Sequence, residues 1–533
     1  MPHRGHKSMG CSGQELQLQE FDIERRLRPN CTVEVDVNGA HPRESIFVTG
    51  TRIRELMAAS DSQVDIVVVG SGIGGLTAAV RAARAGARVI VVEKASEAGG
   101  TTRLSGGGVW GMRRFEDIRS FVPHGDADLQ RRWVEGIPAG HAWLDELGIP
   151  AEAKPGTTLS GMDAALPNRL IDGDIIEGYN TIGRVMNPSQ FVDMMVEELT
   201  RLAVPLFLDT SLEELVRKGE SVVGVVLDAQ GTRLSVKTRA VVLATGGFAA
   251  CPSLIAEHIT PYAAKLWPRC VDSVTGDGLR LATQIGAAPS DGGFNAFYGH
   301  NLPARPAKFD KSQLIEVSQF YGPAAIAVNL RGERYTDEGE TRLEETLAQD
   351  TARQPDATAL LVFDDVMWKM YRDPRSSFSQ AGSDKFGIAR DAGAPVLFTH
   401  DMEELVRQAG TLGVAPVQLR ETIDVFNGAA NNGTTHLLDV PKSRYVYPVM
   451  TPPFYGVLVQ PGITSSMGGL KVNQNAQVLD AVGKTIGGLY ACGVDIGNLN
   501  NRHYAGNLSI GLVFGMAAAD HITHSLDSGG RTA

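Results

Sequence analysis

Gly70, Gly72 and Gly75 stand at GxGxxG spacing directly after the apolar run Ile66–Val69, and Glu93 closes the same stretch, VDIVVVGSGIGGLTAAVRAARAGARVIVVEK. These residue types in this order suit the binding of a pyrophosphate and a ribose. The first glycine permits a tight turn, the second lets backbone N–H groups approach the phosphates, and the third lets a following helix pack closely on the strand. That helix starts in the Ser71, Gly72, Ile73, Gly74 loop and presents partial positive charge to the anion. Glu93 is placed to accept from a ribose 2′-hydroxyl and to repel a 2′-phosphate. A glycine-rich turn in an ordinary α/β protein is the bland alternative; strand, glycines, helix, strand and acid in register speak against it.

The elements that must position these residues are legible around them. Ile66–Val69 is β-branched throughout, as a parallel strand buried on both faces requires. Ala78, Ala79, Ala82 and Ala83 keep the helix slim, Gly86 suits its left-handed C-terminal cap, and Val89–Val92 forms the second strand. After Lys94 comes a second loop of small residues, KASEAGGTTRLSGGGVWG, with Gly100, Thr101, Thr102, Ser105, Gly106 and Gly107 beside the first. An extended FAD would continue there past its pyrophosphate. Two further strand-to-glycine junctions follow: RAVVLATGGF, containing Ala244, Thr245 and Gly246, and GGLYACG, ending at Gly493.

Together these pieces resemble the flavoprotein family that includes fumarate reductase, the succinate dehydrogenase flavoprotein and the 3-ketosteroid dehydrogenases, over roughly Val64 to the C-terminus. The resemblance implies an α/β fold: a Rossmann-type, glutathione-reductase-like three-layer FAD-binding domain carrying an inserted α+β capping domain. The FAD-binding part is expected over 63–292 and 449–533 and the cap over 293–448, where charge, proline and irregular stretches increase. TGDGLRLATQIGAA matches a family element in which a GDG turn opens a helix below the flavin, with Asp277 capping that helix. Covalent members attach FAD through a histidine in the loop equivalent to Gly99–Gly107; none occurs here, so the FAD is expected to be noncovalent.

The family's chemistry is exchange of hydride between flavin and a carbon next to a carbonyl, with a proton moved at the neighbouring carbon. AIAVNLRGERYTDEGETRLE resembles the fumarate reductase stretch that ends in the proton-delivering arginine. Aligned through Val328, Asn329, Gly332, Arg334, Tyr335 and Glu338, that arginine falls on Arg342. Ketosteroid dehydrogenases resemble a tyrosine there, so Arg342 favours the reductase branch; pairing with Glu340, Glu344 or Glu345 on a solvated helix face is the alternative. In NRHYAGNLSIGLVFG, Arg502 matches the fumarate reductase arginine that clamps a carboxylate, whereas Tyr504 and Gly506 resemble the ketone-binding Tyr-x-Gly of ketosteroid dehydrogenases. The two resemblances disagree about substrate. Asn507, Leu508, Ser509 and Ile510 are expected to open a helix whose N–H groups face the flavin.

Departures from the fumarate pattern narrow the substrate. Ser465-Ser466 stands where fumarate reductases carry His-Thr, and Ser318 and Tyr321 stand where their glutamate and arginine relay would fall. A substrate with one carboxylate or a ketone is expected, with Tyr298, His300 and Ser465 lining its pocket. An amino-acid oxidase of the aspartate oxidase type, an NAD dehydrogenase and a flavin-carrying electron-transfer subunit remain as alternatives.

Composition fits a large enzyme of at least two domains: 533 residues, 21% charged, 43% hydrophobic. The net charge of −11 argues against nucleic-acid or anionic-membrane partners. No apolar run reaches the roughly 20 residues of a membrane span and no secretory leader is read, so a cytoplasmic location is expected. The five cysteines form no CxxC or CxxCH, so no metal, cluster or attached haem is expected and electrons must come from an external donor or go to an external acceptor. Residues 1–62 read as a disordered start with a ββα appendage built on TVEVDVNG and a helix over Thr51–Ala59; an extension along the FAD domain is the alternative.

Overall fold

The computed structural model describes residues 64–150, 152–153, 169–173, 179–341, 344–376 and 378–529. The expected appendage over 1–62 lies outside the described residues, and so does Arg342.

The strand Val64–Val69 pairs in parallel with Val89–Val92 on one side and with Thr232–Leu243 on the other. All of its residues after Val64 are buried, and so is every residue of Val89–Val92, which explains the unbroken β-branched runs. Thr232–Leu243 serves two partners along its length. Its first half pairs antiparallel with Ser221–Ala229, and Val241–Leu243 pair in parallel with Leu489–Ala491. Gln477–Leu479, Leu206–Phe207 and Thr210–Lys218 complete this eight-stranded sheet. The helix Ile73–Arg84 packs against the C-terminal helix Asn507–Gly529. Gly75 sits where helix and strand meet: a Cβ there would stand 2.0 Å from the Gly70 carbonyl oxygen. The third glycine of the motif thus has the packing role its spacing implied.

A second sheet of six strands is organised by Phe454–Ser466. Ala359–Asp364, Phe297–Pro303 and Val396–Thr399 pair antiparallel with it, Trp267–Pro268 pairs in parallel, and Ile326–Asn329 joins through Ala359–Asp364. The expected boundary at 449 put Phe454–Ser466 with the FAD-binding part, but its hydrogen-bond partners place it in the second sheet. Twelve of its thirteen residues are buried, so the strand is covered on both faces and its pattern cannot distinguish one sheet from the other. Segment 293–448, expected as an α+β cap, carries helices at Glu345–Ala352, Asp365–Arg372, Met402–Thr411 and Pro416–Asn431.

A third, four-stranded sheet contains Gly108–Met112 and Thr181–Val185. The helix Pro188–Arg201 follows, capped by Asn187, whose side chain accepts from the N–H groups of Ser189 and Gln190. Asp277 does not cap its helix as expected. Gly276, at φ +85°, is the cap, and Asp277 lies inside the first turn, where its carboxylate holds Lys94. No helix among the described residues is long and apolar enough to cross a membrane.

Candidate active site

One cleft runs from the Gly70 turn to the edge of the second sheet, enclosing about 1640 Å³ of empty space including its open mouth. At its first end the loops are tied by side chains. Glu93 is buried; its Oε2 accepts from the Ser71 N–H at 2.9 Å and the Ser71 hydroxyl at 2.6 Å, and its Oε1 accepts from the Ala95 N–H at 2.9 Å. Ser71 Oγ in turn accepts from the Gly99 N–H at 2.9 Å, and Thr102 Oγ1 accepts from the Ile73 N–H at 3.0 Å. The two glycine-rich loops are thereby one unit. Lys94 Nζ reaches Asp277 and Thr275, each at 2.8 Å. The carboxylate of buried Asp495 accepts from the backbone and hydroxyl of Thr245, fixing the turn through Gly246; burial pushes Asp495 up against the pull of these donors.

The other end is aromatic and nearly sealed. Tyr298, from the second sheet, stacks on Tyr504, from the loop before the C-terminal helix, with ring centroids 3.7 Å apart and planes 14° from parallel. Tyr504 also meets Trp110 edge-on. The Tyr504 hydroxyl oxygen accepts the Asn507 N–H at 3.0 Å, and Asn507 donates from its side chain to Ser465 Oγ at 2.6 Å. His300 Nε2 lies 3.2 Å from the Tyr298 hydroxyl and His300 Nδ1 lies 3.3 Å from Glu344 Oε2. Burial pushes the Tyr298 hydroxyl up to about 12 and raises Tyr504 still further, so both remain phenols. Burial likewise raises Glu344 well above its ordinary value, against the pull of the Asn301 N–H from which it accepts.

A family model described as FAD binding domain matches residues 65–507. The chain belongs to this FAD-binding family. It is 27% identical over 485 residues to an NADH:fumarate oxidoreductase of Klebsiella pneumoniae, a match covering 86% of this chain and 48% of that protein, so it spans about half that relative's length. It is 27% identical over 486 residues to a vinyl phenol reductase of Lactiplantibacillus plantarum, covering 84% of this chain and 93% of the relative. Its fold is similar to that of a 3-ketosteroid dehydrogenase from Rhodococcus jostii in complex with 4-androstene-3,17-dione. The TM-score is 0.66 at 23% identity, covering 90% of this chain and 99% of that one.

The residues of the first end fit FAD. A helix's first N–H groups lack intrahelical acceptors; at the start of Ile73–Arg84 Thr102 takes that of Ile73, while Gly72 and Gly74 line the cleft. Gly70, Glu93, Lys94, Gly100, Thr101, Thr102, Ser105 and Gly106 line the cleft together with Ala244, Thr245, Gly246, Asp277 and Gly493. The acid Glu93 retains lone pairs for a ribose while its position is fixed by Ser71. Ser71, Gly75 and Gly107 support the loops and do not line the cleft. At the flavin end Asn507 and Leu508 line it, but Ser509 and Ile510 do not. The Ser509 hydroxyl turns to the Trp110 carbonyl at 2.6 Å, and the Ile510 N–H is taken by the Gly506 carbonyl at 3.1 Å. With the Asn507 N–H committed to Tyr504, Leu508 is the next residue at this helix end that lines the cleft.

Of the substrate residues, Tyr298, His300, Ser465 and Tyr504 converge on the cleft; Gly506 does not. Arg502, expected to clamp a substrate carboxylate, is already engaged. Its guanidinium pairs with Glu340 at 2.6 Å and Asp350 at 2.7 Å and opens on a separate surface cleft beside His124 and Arg353. Two internal carboxylates occupy the fork that a ligand would need, and they raise the Arg502 pKa further. Sequence reasoning missed Arg269, Thr464 and Phe320, all of which line the substrate end. Arg269 precedes the TGDG turn in WPRCVDSVTGDG and belongs to no spacing pattern that would single it out. Glu344 was visible only as a neighbour of Arg342.

Proposed function

We propose that this chain is an FAD-dependent oxidoreductase that reduces or introduces a C=C bond next to a carbonyl, in the reductase-like branch of its family. The observation that carries the reading is the single cleft that joins the dinucleotide turn to a closed aromatic end. There Tyr298 and His300 come from one sheet and Tyr504 from the loop that leads into the C-terminal helix. Noncovalent FAD is part of the reading, supported by the absence of histidine from Gly99–Gly107.

Bound FAD would supply or accept the hydride. The chain's own residues do the rest. Tyr504, whose oxygen already accepts from Asn507, keeps its proton free to donate to a substrate carbonyl. The helix N-terminus at Leu508 favours negative charge at the flavin edge. Arg342 is assigned the proton at the second carbon, on the strength of the VN…GERY…DE…R succession. The tyrosine stack and Phe320 keep water away while that proton moves. We assign the cap to residues 293–466, taking in the strand Phe454–Ser466, and the FAD-binding part to the remainder from residue 63. A cytoplasmic location is supported by the free thiols of Cys251, Cys270 and Cys492.

The test is to reduce the purified yellow protein anaerobically with dithionite and add enoates or enones. Reoxidation of the flavin by such a compound supports the reading. Flavin reduction by an amino acid with release of ammonia, or reduction that requires a protein partner, would replace it.

A further inference from the structure

Arg269 is a buried cation without a counter-ion. It is 8% exposed and lines the substrate end of the cleft. Its Nη1 donates to Thr464 Oγ1 at 2.9 Å, its Nε has no partner, and it pairs with no carboxylate among the described residues. An arginine stays charged even where burial lowers its pKa, as it does here. Leaving such a charge unpaired in a dry site is strongly unfavourable unless a ligand supplies the opposite charge.

The surrounding backbone is built to hold it there. The Arg269 N–H donates to the Ile463 carbonyl at 2.8 Å, continuing the pairing of Trp267–Pro268 with the central strand. The side chain then crosses that strand at Gly462, where a Cβ would stand 2.5 Å from Arg269 Cδ. The nearby buried acid, Glu344, makes no ion pair with it: its oxygens face the Asn301 N–H and His300. The phosphate-binding turn lies at the far end of the cleft, where Lys94 is the cation and is already paired with Asp277. The remaining lining at this end combines the Tyr298–Tyr504 stack, Phe320, Leu314 and Ile315 with the neutral polar groups of Thr464 and Ser465 and the His300 ring.

We propose that Arg269, in place of the occupied Arg502, anchors a substrate carboxylate, and that the substrate is an unsaturated monocarboxylate with a flat, apolar tail. This rests on the C=C reading above and names its substrate class. Arg269 offers its outer Nη edge to the carboxylate, while the conjugated tail lies along the tyrosine stack.

The test uses the oxidised holoenzyme and two probes of one shape, cinnamate and its methyl ester, with benzalacetone as a neutral enone. Binding is read from the perturbation of flavin absorbance, and turnover from reoxidation of the dithionite-reduced enzyme. Cinnamate should bind at least about 30-fold more tightly than the ester, the size of effect given by a charge-assisted bidentate pair. Arg269→Leu should lose that preference while retaining FAD and benzalacetone binding, and Arg269→Lys should recover part of it. Equal affinity of acid and ester in the wild-type enzyme overturns the proposal without any variant, as does loss of FAD from well-folded Arg269→Leu. Reoxidation by ester or enone without preference for the acid sinks this inference and leaves the C=C reading standing. Failure of all three probes to bind or reoxidise sinks both.

Discussion

Tyr298 and Tyr504 lie face to face, 3.7 Å apart, each contributed by a different part of the molecule. The stack therefore ties the second sheet to the segment that opens the C-terminal helix, and it forms the floor on which a flat substrate would rest. Its hydroxyl end is equally defined, because Tyr504 accepts from Asn507 and Tyr298 meets His300.

Tyr504→Phe keeps the stack and removes one hydrogen bond, so it should cost about 1 kcal/mol. Tyr504→Ala removes the ring and should cost about 3–5 kcal/mol. Urea unfolding of the holoprotein measures both; equal losses would mean that the ring contributes nothing beyond its hydroxyl.

Gly75→Ala places a methyl group 2.0 Å from the Gly70 carbonyl oxygen and 3.2 Å from Ala244 Cβ. Neither neighbour is a flexible side-chain end, so helix and strand must separate. The expected result is protein that purifies largely without FAD and is less stable by about 3 kcal/mol or more. A normal ratio of flavin to protein after desalting would contradict this.

His503 gives the protein an alkaline sensitivity. Burial lowers its pKa, but donation to Glu340 Oε1 and to the Phe121 carbonyl outweighs this and raises it above 6.5. The stabilisation is fully present below 6.5 and is lost as pH rises through the raised value. Glu340 has the opposite sign. Burial raises it, His503 and Arg502 more than compensate, and its pKa falls to about 2, so its contribution holds above 4.5 and is lost on acidification toward 2. Thermal melts from pH 6 to 9 should show a decline in the wild type that His503→Gln largely abolishes. An unchanged slope in the variant would remove His503 as the cause.

Arg342→Gln should retain FAD and reduce turnover by about 10²–10⁴-fold, the range for loss of a positioned proton donor. Full activity in that variant rejects the assignment, and loss of flavin would assign the residue to cofactor binding instead.

The nucleotide end was legible because each step of its chemistry imposes a residue type at a fixed spacing. Gly75 must be glycine for contact with Gly70, and Glu93 must end a buried strand. The substrate end was legible only in pieces. Tyr298, His300, Ser465 and Tyr504 could be picked out one by one and do meet at the cleft, yet Arg269 escaped because its neighbours in space, Thr464 and Gly462, are remote in the chain and reach it only through strand pairing. Arg502 was misread for a related reason. Its local sequence matches a clamp, while the carboxylates that fill it, Glu340 and Asp350, come from another element. Asp277 failed as a cap because the left-handed turn at Gly276 moves it one position into the helix.

The strand Phe454–Ser466 has one more consequence, concerning the order in which the molecule is made. Trp267 and His300 both find their backbone partner at Gly462, and Ala359–Asp364 waits for the same strand. A chain emerging from the ribosome must carry these edges unpaired until Phe454–Ser466 has been synthesised, so the binding pocket closes only after that strand arrives. Such late, long-range closure is slow and leaves sticky intermediates. A nascent chain stalled before Phe454 should already fold its first Rossmann strands while lacking any place to hold a substrate.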